Sequence, residues 1–95
     1  MKVRYTLRAQ RDLDAIFDYL DQRSPAGARA VKQMIERRIE SLADFPFMAP
    51  ETEESGTREL TIFRYPYKVY YEVEGEEVWI VHIRHTSRRP WQGAE

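Results

Sequence analysis

Seven side chains able to hold or relay charge at a phosphate fall late in the chain: Arg58 and Lys68, then His82, Arg84, His85, Arg88 and Arg89. Metal-free cleavage of RNA needs a base for the 2′-hydroxyl, an acid for the leaving oxygen and a cation for the charge that builds on the phosphate. Histidine and arginine supply all three kinds of group. The same residues also suit an anchor for an acidic partner. A third reading is an ordinary solvated strand end, its cations paired with the carboxylates of "EVEGEE" and "ETEES". His82 and His85 have opposite parity, so on a regular strand they face opposite sides and do not form one acid and base pair. His82 falls opposite Val69 and reads as a packed histidine with one satisfied hydrogen bond. His85, at the strand exit beside Arg84 and Arg88, is the better functional candidate.

These residues depend on a sheet to position them. "KVRYT" opens as a strand, and Leu13, Ile16, Phe17 and Leu20 then recur at the spacing of one buried helical face, predicting a helix over about residues 8 to 22. Ser24 is placed to accept from free helix N–H groups, and Pro25 suits the first position of a second helix. Val31, Ile35, Ile39 and Leu42 form its apolar stripe, Met34 widens it, and the prolines of "FPFMAP" end it. So short a link predicts an antiparallel helical hairpin. "RELTIF", "YKVYYEVE" and "EVWIVHIRH" read as three strands, with Gly75 and Glu76 as the turn between the last two. A two-residue turn pairs Val73 with Val78, Tyr71 with Ile80 and Val69 with His82. The opposite face then carries Lys68, Tyr70, Glu72, Trp79, Val81 and Ile83. Both faces are substantially apolar, so the hairpin of helices covers one and a partner covers the other. The alternative is a β-bulge that returns some of these residues to a single core. The expected class is α+β: an N-terminal strand, then an antiparallel helical hairpin packed on an antiparallel sheet with a C-terminal three-stranded meander.

Composition narrows the function. The 95 residues suit one domain spanning 1–95, and 42% hydrophobic with 13% aromatic residues is a globular balance. Fifteen Lys and Arg against sixteen Asp and Glu give a net charge of −1. Nonspecific nucleic-acid binding through overall charge is therefore disfavoured, and any polyanion site is a local patch. There is no cysteine, hence no disulfide, thiolate zinc site or Cys nucleophile. No apolar run predicts a signal peptide or a membrane span, so a cytoplasmic protein is expected. Asp14, Asp18 and Asp21 share one side of the first helix, but Arg8 before Asp12 and Arg11 before Asp14 predict weak ion pairs rather than a metal site. No glycine-rich phosphate loop, HExxH or GxSxG element occurs, and no cofactor is expected.

"AQRDLDAIFDYL" in the first helix, "SLADFPFMAP" closing the second, "REL" opening the second strand, "YKVYYEV" in the third and "IVHIRHTSRRPW" at the end occur in an order that resembles the RelE/ParE superfamily of type II toxins. The resemblance covers nearly the whole chain. It implies a small cytosolic toxin encoded beside a ParD-like or similar antitoxin that wraps it as a hetero-oligomer. RelE-like members cut mRNA on the ribosome with Lys and Arg side chains of the sheet and a Tyr or His near the C-terminus. ParE-like members lack most of that set and are described as inhibitors of DNA gyrase. Here Lys68 stands where the superfamily usually has arginine, Arg58 lacks the paired lysines beside it, no tyrosine follows Tyr71, and the tail offers Trp91. The resemblance is therefore closer to the ParE-like branch. It implies a target-binding edge of Arg84, His85, Arg88 and Arg89, and an antitoxin-binding face of Tyr70, Trp79, Val81 and Ile83. The RelE-like alternative keeps His85, Arg84, Arg88, Lys68 and Arg58 as catalytic candidates. A binding module of the same fold without toxicity is the third.

Overall fold

The computed structural model describes residues 1–62 and 64–86. Its elements run β1 (Lys2–Tyr5), α1 (Leu7–Asp21), α2 (Pro25–Glu40), a 3-10 turn (Ser41–Ala43), β2 (Thr57–Ile62), β3 (Tyr67–Glu74) and β4 (Glu77–His85). The α+β class and the order of elements are those expected. Each helix starts where a side-chain oxygen captures a free N–H: Thr6 Oγ1 accepts from Ala9 at 3.1 Å and Ser24 Oγ from Gly27 at 3.1 Å, with Pro25 following the second cap. No described helix is long and apolar enough to cross a membrane.

The sheet has the order β1-β4-β3-β2. β2, β3 and β4 form the antiparallel meander, whereas β1 lies parallel to β4, Val3 beside Val78 and Tyr5 beside Ile80. The sheet is therefore mixed. Strands joined through intervening elements rather than a tight turn are free to run parallel, and β1 reaches the outer edge of β4 in this way. Gly75, at φ +60°, takes the left-handed conformation that the two-residue turn between Glu74 and Glu77 demands.

One sheet face carries Leu60, Ile62, Tyr67, Val69, Tyr71, Val78, Ile80 and Ile83, all buried against Ile16, Val31, Ile35, Ile39 and Leu42. Ile35 and Leu42 are wholly excluded from solvent, and burial of each such side chain contributes about 1.5–3 kcal/mol. Leu13, Phe17, Leu20 and Met34 pack at the margin of this core. Burial holds the Tyr71 hydroxyl above its usual pKa, and it donates to Pro46 O at 2.9 Å, tying "FPFMAP" to the sheet.

Candidate functional site

The position of every side chain on β4 beyond Ile80 follows from one extra residue. The expected pairs Val73–Val78 and Tyr71–Ile80 are present, but the register then shifts between Tyr70 and Tyr71, so Tyr70 faces His82 and Val69 faces Ile83. The shift is a β-bulge that absorbs Val81. It moves Ile83 into the core, where it is 2% exposed, and moves His82 onto the face that the helices leave open. Ile83 is thus removed from the expected antitoxin-binding set. Tyr70, Trp79 and Val81 stay on the open side, each partly exposed.

His82 stands opposite Tyr70 rather than Val69, and it has more than the one polar partner expected. Its ring stacks on Tyr70, with centroids 5.6 Å apart and planes 17° apart, and its Nδ1 lies 2.8 Å from Asp12 Oδ2. Nε2 lies 3.4 Å from an Arg8 guanidinium nitrogen, which can only donate. This set of partners assigns the proton to Nδ1, with the Nε2 lone pair turned to Arg8. The same Asp12 oxygen accepts from the Ile83 backbone N–H at 3.0 Å. β1 ends at Tyr5, leaving the last part of β4 without a neighbouring strand. Thr6 Oγ1, donating toward the Ile80 and Val81 carbonyls, and Asp12 take over those edge groups. Asp12 is therefore committed to β4, and the helical ion pairs expected for Arg8–Asp12 and Arg11–Asp14 are not formed among the described residues.

The cations do not converge as one cluster. Lys68 and Arg84 are directly opposite each other. Lys68 pairs with Glu59 at 2.6 Å, and Arg84 Nε donates to the Tyr70 hydroxyl at 3.2 Å. Arg58 shares parity with Leu60 and Ile62 and points to the helix side. There it donates to Ala49 O at 2.6 Å and Phe47 O at 3.4 Å, bracing the loop before β2. His85 stands edge-on to buried Tyr67, 5.1 Å between centroids, on the face opposite His82 and Arg84. The opposite orientation of the two histidines agrees with their parity. Arg88, Arg89 and Trp91 lie outside the described residues. Arg64, not singled out from the sequence, adds an exposed cation in the β2–β3 connection at φ +76°.

Between these elements the open face forms a groove of about 1110 Å3. Tyr70 and Val81 lie in it, Arg8, His82 and Arg84 bring positive or titratable groups from the β4 side, and Glu51, Glu53, Glu54, Glu59 and Glu72 bring carboxylates. The acidic wall exists because segment 50–54 folds back on β2: Glu59 N donates to Pro50 O, Thr52 N to Thr57 O and Thr57 N to Glu54 O. Trp79, on the open side but not lining the groove, donates its Nε1–H to Glu77 at 3.1 Å. Arg4 binds the same carboxylate and lowers its pKa. Among the described residues, no group of three or more His, Asp or Glu side chains is placed to hold a metal ion.

This arrangement has known counterparts. The family profile described as the ParE toxin of the type II toxin-antitoxin system, parDE, matches residues 3–90. Toxin RelE2 of Caulobacter vibrioides is 37% identical over 87 residues, covering 92% of this chain and 97% of the relative. Among solved structures, a chain of the chromosomal ParDE system from P. aeruginosa superposes with a TM-score of 0.81 at 29% identity, covering 92% of this chain and 97% of that one. A chain of the RelBE2 toxin-antitoxin complex from Mycobacterium tuberculosis shares the fold with a TM-score of 0.59 at 24% identity, covering 92% of each. With the strand, helical hairpin and meander in place and the profile spanning nearly all of them, the chain belongs to the ParE toxin family of type II toxin-antitoxin systems.

Proposed function

We propose that this toxin arrests growth in the cytoplasm by binding DNA gyrase, without hydrolysing a phosphodiester itself, and that a cognate antitoxin neutralises it by covering the open sheet face. The observation that carries the reading is the separation of His82 and His85 onto opposite faces. A phosphate held at Arg84 has one imidazole on its side of the sheet and five carboxylates sharing the groove. Carboxylates at that density repel a polyanion and suit a protein surface. Arginine stays protonated at physiological pH, so Arg84, Arg88 and Arg89 grip an anionic group but are poor bases. In this reading they contact the target together with His85 at the end of β4. The likeness to a ParDE chain supports both the branch and the antitoxin partner. The antitoxin's anchors on the open face are Tyr70, Trp79 and Val81.

A specific observation favours a second reading, a RelE-like endonuclease acting on mRNA at the ribosome. Asp12 orients His82 as a triad carboxylate orients its histidine, with Arg8, Arg84 and the Tyr70 hydroxyl on the same face. Arg8 must leave Nε2 before that nitrogen can take a proton. Expression of the chain alone in bacteria separates the two. The gyrase reading expects gyrase-dependent DNA breaks with intact mRNA, loss of toxicity in Arg84→Ala and Arg88→Ala, and much toxicity retained in His82→Gln and His85→Gln. Ribosome-dependent mRNA cuts that vanish in either histidine variant would establish the nuclease instead. Unimpaired growth at full expression would leave a non-toxic binding module.

A further inference from the structure

The groove has three chemistries in three places. Its floor is mainly aromatic and aliphatic, with the Tyr70–His82 stack and Val81, and the Arg84 guanidinium stands 6.0 Å from the Tyr70 ring centroid. One wall, beside β2, carries Glu51, Glu53 and Glu54, all exposed and forming no ion pair among the described residues. The other wall, where α1 begins beside β4, carries the Arg8 guanidinium. The two carboxylates nearer the floor are already engaged, Glu59 with Lys68 and Glu72 with the Thr57 hydroxyl at 3.1 Å.

We infer that the groove receives one amphipathic helix of the antitoxin, with apolar side chains on the floor, lysine or arginine on the flank facing Glu51, Glu53 and Glu54, and aspartate or glutamate on the flank facing Arg8. This rests on the reading that the antitoxin covers the open face, and it assigns the chemistry of the covering segment. A helix suits three separate surfaces because it shows a floor stripe and two flanks at once, whereas an extended strand divides its side chains between two faces. A covering segment that brought no cations would bury the acidic wall unpaired, which is costly. The helix is therefore cationic on that flank, in contrast to the acidic partner suggested by the basic strand end alone. Turning the helix end for end with its apolar stripe still down exchanges the flanks and sets like charges against each other on both walls.

The test titrates the full-length toxin with the antitoxin encoded beside its gene, at low and high salt, with circular dichroism confirming the fold of each variant. Glu53→Lys/Glu54→Lys, on exposed side chains, is expected to weaken the complex at least tenfold at low salt, with a smaller deficit at high salt. Arg8→Glu should weaken it as well. Trp79→Ala and Val81→Glu report on the face itself. If those two weaken binding while the lysine pair leaves it unchanged or tighter, the charge layout is overturned and the face assignment stands. If all four folded variants bind as the parent does, the antitoxin sits elsewhere and the underlying reading falls with the inference.

Discussion

Removing the Asp12 carboxylate should destabilise the protein well beyond an ordinary helix-surface substitution. In Asp12→Ala the Ile83 N–H and His82 Nδ1–H both lose their acceptor, at 3.0 and 2.8 Å. Hydrogen bonds to a charged group contribute about 1.5–3 kcal/mol each when buried. Both side chains here are about a quarter exposed, 26% for His82 and 25% for Asp12, so water screens the charge and partly replaces the lost partner. The two bonds together then give an expected loss of about 2–3 kcal/mol. Asp12→Asn keeps an acceptor oxygen without the charge and should lose about half as much. Urea titration reads this directly: with an m-value of about 1 kcal/mol/M, the midpoint for Asp12→Ala falls by roughly 2 M. Amide exchange at Ile83 should accelerate in step. A loss under about 0.5 kcal/mol, or unchanged exchange at Ile83, would refute the argument that α1 closes the β4 edge.

Ile35→Ala, at a side chain with no solvent exposure, should cost about 2–5 kcal/mol in the same titration. Tyr71 sets an alkaline limit. Its folded pKa is raised by burial above the ordinary value of 10.0, so its contribution is full below that value and fades as pH rises through the folded pKa. Tyr71→Phe, which cannot ionise, should give a flatter fall in stability above about pH 10, as measured by midpoints across the pH series.

Much of the fold was legible because its signals are local. The Leu13–Ile16–Phe17–Leu20 stripe, the Ser24 cap with Pro25 and the Gly75 turn each depend on neighbours a few residues away. The orientation of Arg58 was legible too, since it shares parity with Leu60 and Ile62. Charge type alone suggested grouping it with Lys68, and alternation decides otherwise. The bulge was foreseen as the alternative to a regular hairpin, and Ile83 returns to the core as that alternative required, but the bulge's place at Val81 was beyond reach. A bulge inserts one residue without a distinctive composition, yet it inverts the facing of His82 and Ile83 after it. Asp12 was hidden for another reason: its role follows from β1 stopping short beside a strand more than seventy positions away, as the 71-residue separation from Ile83 shows. The acidic wall likewise depends on how segment 50–54 folds onto β2.

The parallel pairing of β1 with β4 also bears on the order of events during synthesis. The last strand among the described residues, β4, is internal to the sheet, so β1 and the end of α1 nearest it wait for a partner that is translated 74 residues later, the separation between Thr6 and Ile80. Closing a loop of that length precedes any gain from the pairing, which makes the contact intrinsically slow. Until residues 77–83 leave the ribosome, the helices have no complete sheet to pack against and the open face does not exist. A binding partner therefore meets the finished open face only after β4 has been inserted between β1 and β3.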